Sequence, residues 1–566
     1  MKSSWTSKPL LRALGMLVFF CLVPIAVAQD EKEETTKRVE KQEDKAADNK
    51  AKAEDMARAL TLGKDLEIAM RLLRSYQPKD VHEHLAKSLL PDPLRQLLSG
   101  WAYHQQGDYE QASSHFDNVD PDQFHGDSYL TSRLTDLSKT AAELKSYEVL
   151  ETANFSIRYK PGADKVLIYF LPDILERIYT KYSQLFQFSR DEKIIVELMP
   201  DHRLFSYASS LTRSQIETTG TIALCVENRL VMLTPRRVLT GYYWPDVIAH
   251  EFVHYILTKQ SADRAPLWLQ EGVAKYFEAR WDREDANPLD PALETSLALA
   301  LSEEGQLITV EQMMPSFAAL PTAALARQAY AQTTAMVDYL SKHHGEDIIR
   351  KIVVGLKTDG DLDRVLGDEI GQDFTGFEAS WGDWVKDQNY RIHGGQHAEG
   401  VKLLDEDGGE EQVVSLENPE NDLARKHTRL GDLLLERNRY KAALRQYEKI
   451  PVAQSRMNRQ ILLRMIACHR NLGQYSHVIS LIDAQVFDLE SDPTMLVKKA
   501  EAYMASENGA EAKGLLERCI RINPFYPSVY KMLLNLSPGE DEATDYREII
   551  EILKHPSAPP IGDRKS

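Results

Sequence analysis

The stretch His250-Glu251-Phe252-Val253-His254 decides how the central part of this chain is interpreted. Residues four apart in a helix lie one turn above each other, so the two histidines project from the same helical face. Two neutral imidazoles that converge from one helical turn suit a Zn²⁺ ion. Glu251, about 100° around the helix from His250, can reach a metal-bound water and act as its general base. The stretch therefore predicts a helix that carries two metal ligands and a catalytic base.

A zinc ion in a catalytic site needs a third protein ligand, and its fourth position is left to water. The candidate is Glu271 in the segment Leu267–Ala274 (L-W-L-Q-E-G-V-A), where Pro266 can begin a second helix. The H-E-x-x-H-x-x-G-x-x-H pattern is excluded, because Leu257 and Gln260 occupy its Gly and third His positions. The other interpretation, a solvated helix with two surface histidines, is disfavoured because apolar residues surround the motif. These residues are Val247, Ile248, Phe252, Val253, Ile256 and Leu257.

The two segments together resemble the gluzincin metallopeptidases, in which the Glu of a W-L-x-E-G-x-A segment is the third zinc ligand. With tetratricopeptide-like repeats on the same chain, the sequence resembles the bacterial peptidase MA-like family. The resemblance extends over about residues 146–386, and the two helices are its only highly specific part. It implies an α+β fold, in which a gluzincin-like zinc peptidase domain with a mixed sheet and a helix bundle is flanked by all-α tetratricopeptide-type repeats. It also implies one Zn²⁺ per chain, bound by His250, His254 and Glu271.

The resemblance assigns further roles outside the two motifs. Glu278 resembles the acid that ends the family's second helix and can orient a metal ligand, with a solvated helix acid as the alternative. In this family the strand before the metal helix lies at the sheet edge and pairs with extended substrate, which here predicts that role for Arg229–Thr234. A later helix usually supplies a Tyr or His as a second oxyanion donor. Our candidate is Tyr330, with Tyr339 as a competitor and core packing as the alternative role.

The aminopeptidase branch of the gluzincins suggests another candidate residue. That branch carries G-x-M-E-N before its zinc helix, and the Glu of this motif binds the substrate α-amine. The segment Cys225-Val226-Glu227-Asn228 has the Glu and Asn but lacks the Gly and Met. Glu-Asn is also ordinary turn chemistry, so an amine-binding Glu227 is an alternative that we disfavour.

The composition and the first residues indicate the compartment and limit the partners. The formal net charge of −18 argues against nucleic acid or an anionic membrane as the main partner. The chain starts with a basic region and a short apolar run that ends Ala26-Val27-Ala28, which indicates a cleaved secretory signal, with an uncleaved anchor as the alternative. No later stretch is long and apolar enough to cross a bilayer. We therefore expect an exported protein, periplasmic or secreted, without a membrane span after signal cleavage.

Tetratricopeptide-like patterns lie on both sides of the central domain. Before it, small and aromatic residues recur at the offsets of this repeat between Gly100 and Phe116. After it, Tyr440, Tyr475 and Gly509 share one repeat position at spacings of 35 and 34 residues, the period of this repeat. The concave face of such a stack commonly binds peptides or other proteins, and a purely structural role is the alternative.

These patterns predict seven segments along the chain. They are a signal peptide (1–28), a charged disordered linker (29–55), an N-terminal helical, tetratricopeptide-like region (56–145), a gluzincin-like peptidase domain (146–388), a linker (389–421), C-terminal tetratricopeptide repeats (422–540) and a C-terminal tail (541–566).

We therefore expect an exported zinc-dependent metallopeptidase that hydrolyses a peptide or protein substrate by Glu251-assisted attack of a zinc-bound water. The repeats would dock the substrate or a protein partner. The alternative is a non-catalytic scaffold of repeats, whose peptidase-like domain binds peptide or metal without turnover. The presence of Glu251 beside all three candidate ligands favours the enzyme, because a domain without activity commonly loses its base or a ligand.

Overall fold

The computed structural model describes residues 60–75, 77–120, 128–209, 211–226, 228–303, 305–393, 402–404, 422–450, 459–484 and 492–555. Contacts between residues divide the chain into two compact units, Met1–Ser146 and Tyr147–Ser566. None of the helices in the described ranges is long and apolar enough to cross a membrane. The predicted signal, the charged linker, Glu227, most of the segment 389–421 and the last eleven residues lie outside the described ranges.

The described part of the first unit consists of helices. They are α1 (60–74), α2 (Pro78–Lys87), α3 (Asp92–Gln106), α4 (Tyr109–Phe116) and α5 (Ser128–Leu144). Helices α3 and α4 approach closely at Gly100, where a Cβ atom would lie 2.5 Å from the ring of Phe116. The small residue thus allows the aromatic ring to fill the space between the two helices.

The second unit begins with a mixed five-stranded sheet. Its strands are β1 (Glu148–Glu151), β2 (Phe155–Tyr159), β3 (Ile194–Met199), β4 (Ala223–Val226) and β5 (Arg229–Leu233). The spatial order is β1-β2-β3-β5-β4, with β2, β3 and β5 parallel and with β1 and β4 antiparallel at the two edges.

Our prediction that Arg229–Thr234 forms the sheet edge is wrong. Strand β5 lies between β3 and β4, so that β4 occupies the edge next to it. All five residues of β5 are buried, as expected for a strand that is covered on both faces. Asn228, directly before β5, adopts a φ of 70°, a left-handed conformation that asparagine tolerates better than most residues.

The helices in the same part of the chain pack on the sheet or on one another. They are α6 (Leu171–Leu185), α7 (His202–Ser209), α8 (Arg213–Thr219), α9 (Trp244–Ser261), α10 (Leu267–Phe277), α11 (Pro291–Ala300), α12 (Val310–Met313), α13 (Ala323–His344), α14 (Asp347–Thr358), α15 (Leu362–Ile370) and α16 (Phe374–Lys386). Helices α6 and α9 share one hydrophobic core with the sheet, and α7 packs against β3, β4 and β5. Helix α10 lies between α9 and α13, which it contacts on either side.

The remaining helices follow in sequential pairs. They are α17 (Asp422–Glu436), α18 (Tyr440–Tyr447), α19 (Arg459–Asn471), α20 (Tyr475–Asp483), α21 (Pro493–Ala505), α22 (Gly509–Ile522), α23 (Pro527–Asn535) and α24 (Glu540–Lys554). Gly431 of α17 faces the ring of Tyr447 in α18, as Gly100 faces Phe116 in the first unit. The last helices also pack against the segment Ala163–Tyr169, where the buried Val166 joins the same hydrophobic cluster as Leu516.

A short piece of the predicted linker is attached to the second unit. Leu403 forms an antiparallel bridge with Val238, and the amide of Leu239 donates to the carbonyl of Lys402 at 2.9 Å. The guanidinium of Arg213 donates to the Leu403 carbonyl at 3.0 Å. The second unit as a whole is mostly helical with a small mixed sheet, which confirms the expected α+β class at this level.

Candidate metal centre

Helix α9 is buried on nearly all sides, because apolar residues occur around its whole circumference. His250 and His254 project from one face of this helix, with side chains 12 and 15 % exposed. Their Nε2 atoms lie 3.1 Å apart. The helical spacing predicted from the sequence therefore places both imidazoles at one point.

Glu271 completes the group from the facing helix α10. Its Oε2 atom lies 3.7 Å from Nε2 of His250 and 3.6 Å from Nε2 of His254. In the described part of the chain, these three residues form the group whose ligand atoms lie close enough together to hold one metal ion. Tetrahedral zinc ligands at about 2.0–2.1 Å from the metal lie about 3.3–3.4 Å from one another, so the observed separations fit such an ion.

Gly272 explains how α10 brings Glu271 so close to its neighbours. A Cβ atom at this position would lie 2.5 Å from the backbone carbonyl oxygen of Thr333 in α13. Only glycine permits this approach between the two helices. The Glu-Gly pair of the sequence motif thus combines a ligand with the close packing that positions it.

Hydrogen bonds orient both imidazoles from the side away from the metal position. Nδ1 of His250 lies 3.2 Å from Oε2 of Glu278, and the ammonium of Lys275 donates to the other oxygen of Glu278 at 2.7 Å. Nδ1 of His254 lies 3.3 Å from Oε1 of Gln270. Such partners fix the ring orientation of metal-binding histidines. Glu278 was a sequence candidate, whereas Gln270 was missed, although its position beside Glu271 in the motif was the available signal.

The charges of the site favour a bound cation. Burial alone lowers the pKa of the His250 imidazole, but the nearby carboxylates of Glu271 and Glu278 raise this pKa to about 10. Burial opposes ionisation of Glu278, yet Lys275 and His250 lower its pKa to about 2. The carboxylates thus stabilise a positive charge between them, which a metal ion can supply in place of the His250 proton.

Glu251 lies beside the ligands and reaches the sheet. Burial raises the pKa of its carboxyl group, and His254 and His250 oppose this rise. The backbone of Cys225 in the edge strand β4 lies near this carboxylate and also lowers its pKa. A buried carboxylate with a raised pKa is suited to accept a proton from water near neutral pH.

The two tyrosine candidates occupy different surroundings. Tyr330 lies near Glu271, and burial together with the carboxylates of Glu271 and Glu251 raises the pKa of its phenol. Its ring packs edge-on against Phe317, with centroids 4.9 Å apart. Tyr339 instead packs in an aromatic cluster with Trp384, at a centroid distance of 5.5 Å. Of the two, Tyr330 is the one whose phenol is influenced by a candidate metal ligand.

Comparisons with known proteins point in the same direction as this geometry. None of the curated proteins matches the chain. A family model described as the Peptidase MA superfamily matches residues 214–387. These residues span α8 to α16 and include His250, Glu251, His254 and Glu271. The central part of the chain is therefore similar to the Peptidase MA superfamily. Members of this superfamily are typically metal-dependent.

Proposed function

We propose that this protein is a zinc metallopeptidase that hydrolyses peptide bonds. The observation that carries the proposal is the convergence of three ligand atoms, 3.1–3.7 Å apart, beside a buried glutamate. His250, His254 and Glu271 would hold one zinc ion per chain. Such an ion supplies Lewis-acid chemistry, because it polarises a carbonyl and lowers the pKa of water.

The chain's own residues supply the proton transfers and positioning. Glu251 accepts a proton from the attacking water and later delivers it to the amine of the leaving group. Tyr330, beside Glu271, donates a hydrogen bond to the oxyanion that develops on the scissile carbonyl. Glu278 and Gln270 hold the two histidines in the orientation that metal binding requires.

The edge strand β4 is the surface on which we place an extended substrate. The amide of Leu233 donates to the carbonyl of Ile222, so in the antiparallel ladder the backbone groups of Ala223 and Cys225 point away from β5. No other strand of the described ranges pairs with this side of β4. A peptide added there as a further strand would lie beside Glu251, whose carboxylate is near the backbone of Cys225.

The helical hairpins are proposed as tetratricopeptide-type repeats for docking of substrate or a protein partner. The matching Gly–aromatic contacts of Gly100 with Phe116 and of Gly431 with Tyr447 support this assignment. Export to the periplasm or to the medium, directed by residues 1–28, is part of the same proposal. The alternative remains a scaffold that binds peptide or metal without turnover.

Metal analysis and peptide hydrolysis with three variants test the proposal. Wild-type protein should contain one zinc per chain and hydrolyse members of a peptide library. His254→Ala should lose the metal, whereas His344→Ala, at an exposed histidine, should keep it. Glu251→Gln should keep the metal but lose hydrolysis. Native protein without stoichiometric metal would contradict the proposed centre, and metal without hydrolysis in the wild type would favour the scaffold.

A further inference from the structure

The first turn of the metal-binding helix α9 depends on distant parts of the chain. Among the described residues, no side chain caps this helix, whose N-cap residue is Tyr243. Pro245, in the first turn, lacks an N–H group. The side chain of Asp246 accepts hydrogen bonds from the indole of Trp281 at 2.8 Å and from Arg283 at 2.7 Å. The helix start is therefore held by tertiary contacts, six residues before His250.

The C-terminal end of α22 makes two further hydrogen bonds with this helix start. The indole N–H of the fully buried Trp244 donates to the Ile520 carbonyl at 3.0 Å, and the amide of Tyr242 donates to the Ile522 carbonyl at 3.1 Å. Carbonyls in the last turn of a helix lack intrahelical donors. In a continued helix, the amide of residue 524 would donate to the Ile520 carbonyl. This residue is Pro524, which has no N–H group. The start of α9 therefore satisfies carbonyls that α22 leaves unpaired.

Gly241 makes this approach possible. It adopts a φ of 74°, and a Cβ atom there would lie 2.6 Å from the Ile522 carbonyl oxygen. Helix dipoles act in the same direction, because the negative C-terminal end of α22 meets the positive N-terminal end of α9.

Arg521 connects the same helix end to both sides of the candidate metal centre. Its guanidinium donates to the hydroxyl of Tyr243 at 3.1 Å and to the carboxylate of Asp282 at 2.6 Å. Tyr243 directly precedes α9, and Asp282 lies four residues after Glu278, the residue that orients His250. One side chain of α22 thus contacts the segments before α9 and after α10.

We propose that the C-terminal end of α22 positions the metal-binding helix, and that Trp244 and Arg521 are positioning residues of the metal centre. The proposal rests on the function proposed above. The C-terminal helices are then part of the catalytic unit, in addition to any docking role. Loosening this contact allows α9 to shift against α10, which carries the third ligand, and weakens metal binding without unfolding the protein.

A second contact of the same helices provides the matched control. The hydroxyl of Tyr169 donates to the carboxylate of Glu548 in α24 at 2.8 Å. This bond also joins the C-terminal helices to the rest of the unit, but it involves neither α9 nor α10. Trp244→Phe and Tyr169→Phe each remove one hydrogen-bond donor and retain an aromatic ring.

Two measurements on the full-length protein test the proposal. The first is the amide hydrogen exchange of the first turns of α9, and the second is the rate of zinc release to a chelator. Trp244→Phe should raise both by about 5- to 10-fold, as expected for the loss of one buried hydrogen bond. Tyr169→Phe should change neither. Arg521→Gln, at a side chain that is 33 % exposed, should raise both rates in the same way. If Trp244→Phe does not fold, the Arg521 variant tests the proposal in its place.

The outcomes separate this proposal from the proposed function. If Trp244→Phe and Arg521→Gln leave exchange and zinc release unchanged, or if Tyr169→Phe alters both equally, α22 only packs against the unit and the proposal is overturned. If the wild type holds no zinc, the proposed function fails. Hydrogen exchange then still decides whether α22 positions α9.

Discussion

Two helix pairs of the second unit, α9/α10 and α17/α18, differ in what surrounds them. Protein covers α9 on nearly all sides, whereas Leu423, Leu430 and Leu433 of α17 are 53, 42 and 45 % exposed. A polar side chain in a buried helix must find its partner inside the protein, whereas one on a solvated helix can bond to water. In the sequence of α9/α10, buried polar residues therefore indicate a functional site. In the sequence of α17/α18, small and aromatic residues indicate how the two helices pack.

The largest effect that follows from this comparison concerns Tyr330 beside the metal centre. Tyr330→Phe should lower kcat and kcat/KM by a similar factor of about 10²–10³, because it removes a donor to the developing oxyanion. Zinc content and thermal unfolding should stay unchanged. Tyr339→Phe, within the aromatic cluster, is the control and should leave kcat intact. An unchanged kcat in the Tyr330 variant would restrict that residue to packing.

The next effect concerns Glu278, which orients His250. Glu278→Gln should weaken zinc binding by about 10- to 100-fold, as expected when a hydrogen-bond partner of a metal-binding histidine is altered. Competition with a chromophoric chelator measures the change. The control is Glu284→Gln, at a side chain that is 77 % exposed. Equal zinc affinity in the two variants would show that the contact of Glu278 with His250 does not strengthen zinc binding.

The glycines of the two helix pairs provide a direct comparison of packing. Gly272→Ala should lower the free energy of unfolding by about 2–3 kcal/mol, because the new methyl group meets the Thr333 backbone. Gly431→Ala meets only the Tyr447 ring, and better helix propensity offsets part of the strain, so a loss of at most about 1 kcal/mol is expected. Denaturant unfolding measures both. A larger loss of unfolding free energy in Gly431→Ala than in Gly272→Ala would mean that α10 and α13 can move apart to accommodate the new methyl group.

The smallest effect is expected on the exposed face of α17. Leu430→Ser should change the free energy of unfolding by no more than about 0.5 kcal/mol, because the side chain is already 42 % exposed. Denaturant unfolding is again the measurement. A loss well above 1 kcal/mol would show that this face is covered in solution.

The sequence predicts well what is local or depends on side-chain chemistry. The spacing of His250 and His254 is local, and the Glu-Gly pair places a third ligand atom within 3.7 Å of both. The edge position predicted for Arg229–Thr234 is wrong, because pairing between strands is not local. The continuous apolar run of β5 was the available signal for a central strand.

Contacts made by backbone groups were beyond reach of the sequence. The carbonyl of Ile520 accepts a hydrogen bond from the indole of Trp244. Every residue has a backbone carbonyl, so the residue type does not indicate which carbonyl accepts such a bond. The pairing of Leu403 with Val238 is of the same kind. By contrast, Gln270 is a side chain next to a predicted ligand, and considering which groups orient the histidines could have identified it.

The hydrogen bond between Trp244 and Ile520 also has a consequence for biosynthesis. It joins residues 276 positions apart, and a ribosome adds about 5–20 residues per second, so about 14–55 s separate the synthesis of the two partners. Contacts of such long range form slowly, because a large loop must close before they stabilise the fold. The nascent chain therefore contains both histidines well before it contains the helix end that holds them in place. The surroundings of α9 are therefore completed only after residue 522 has emerged from the ribosome.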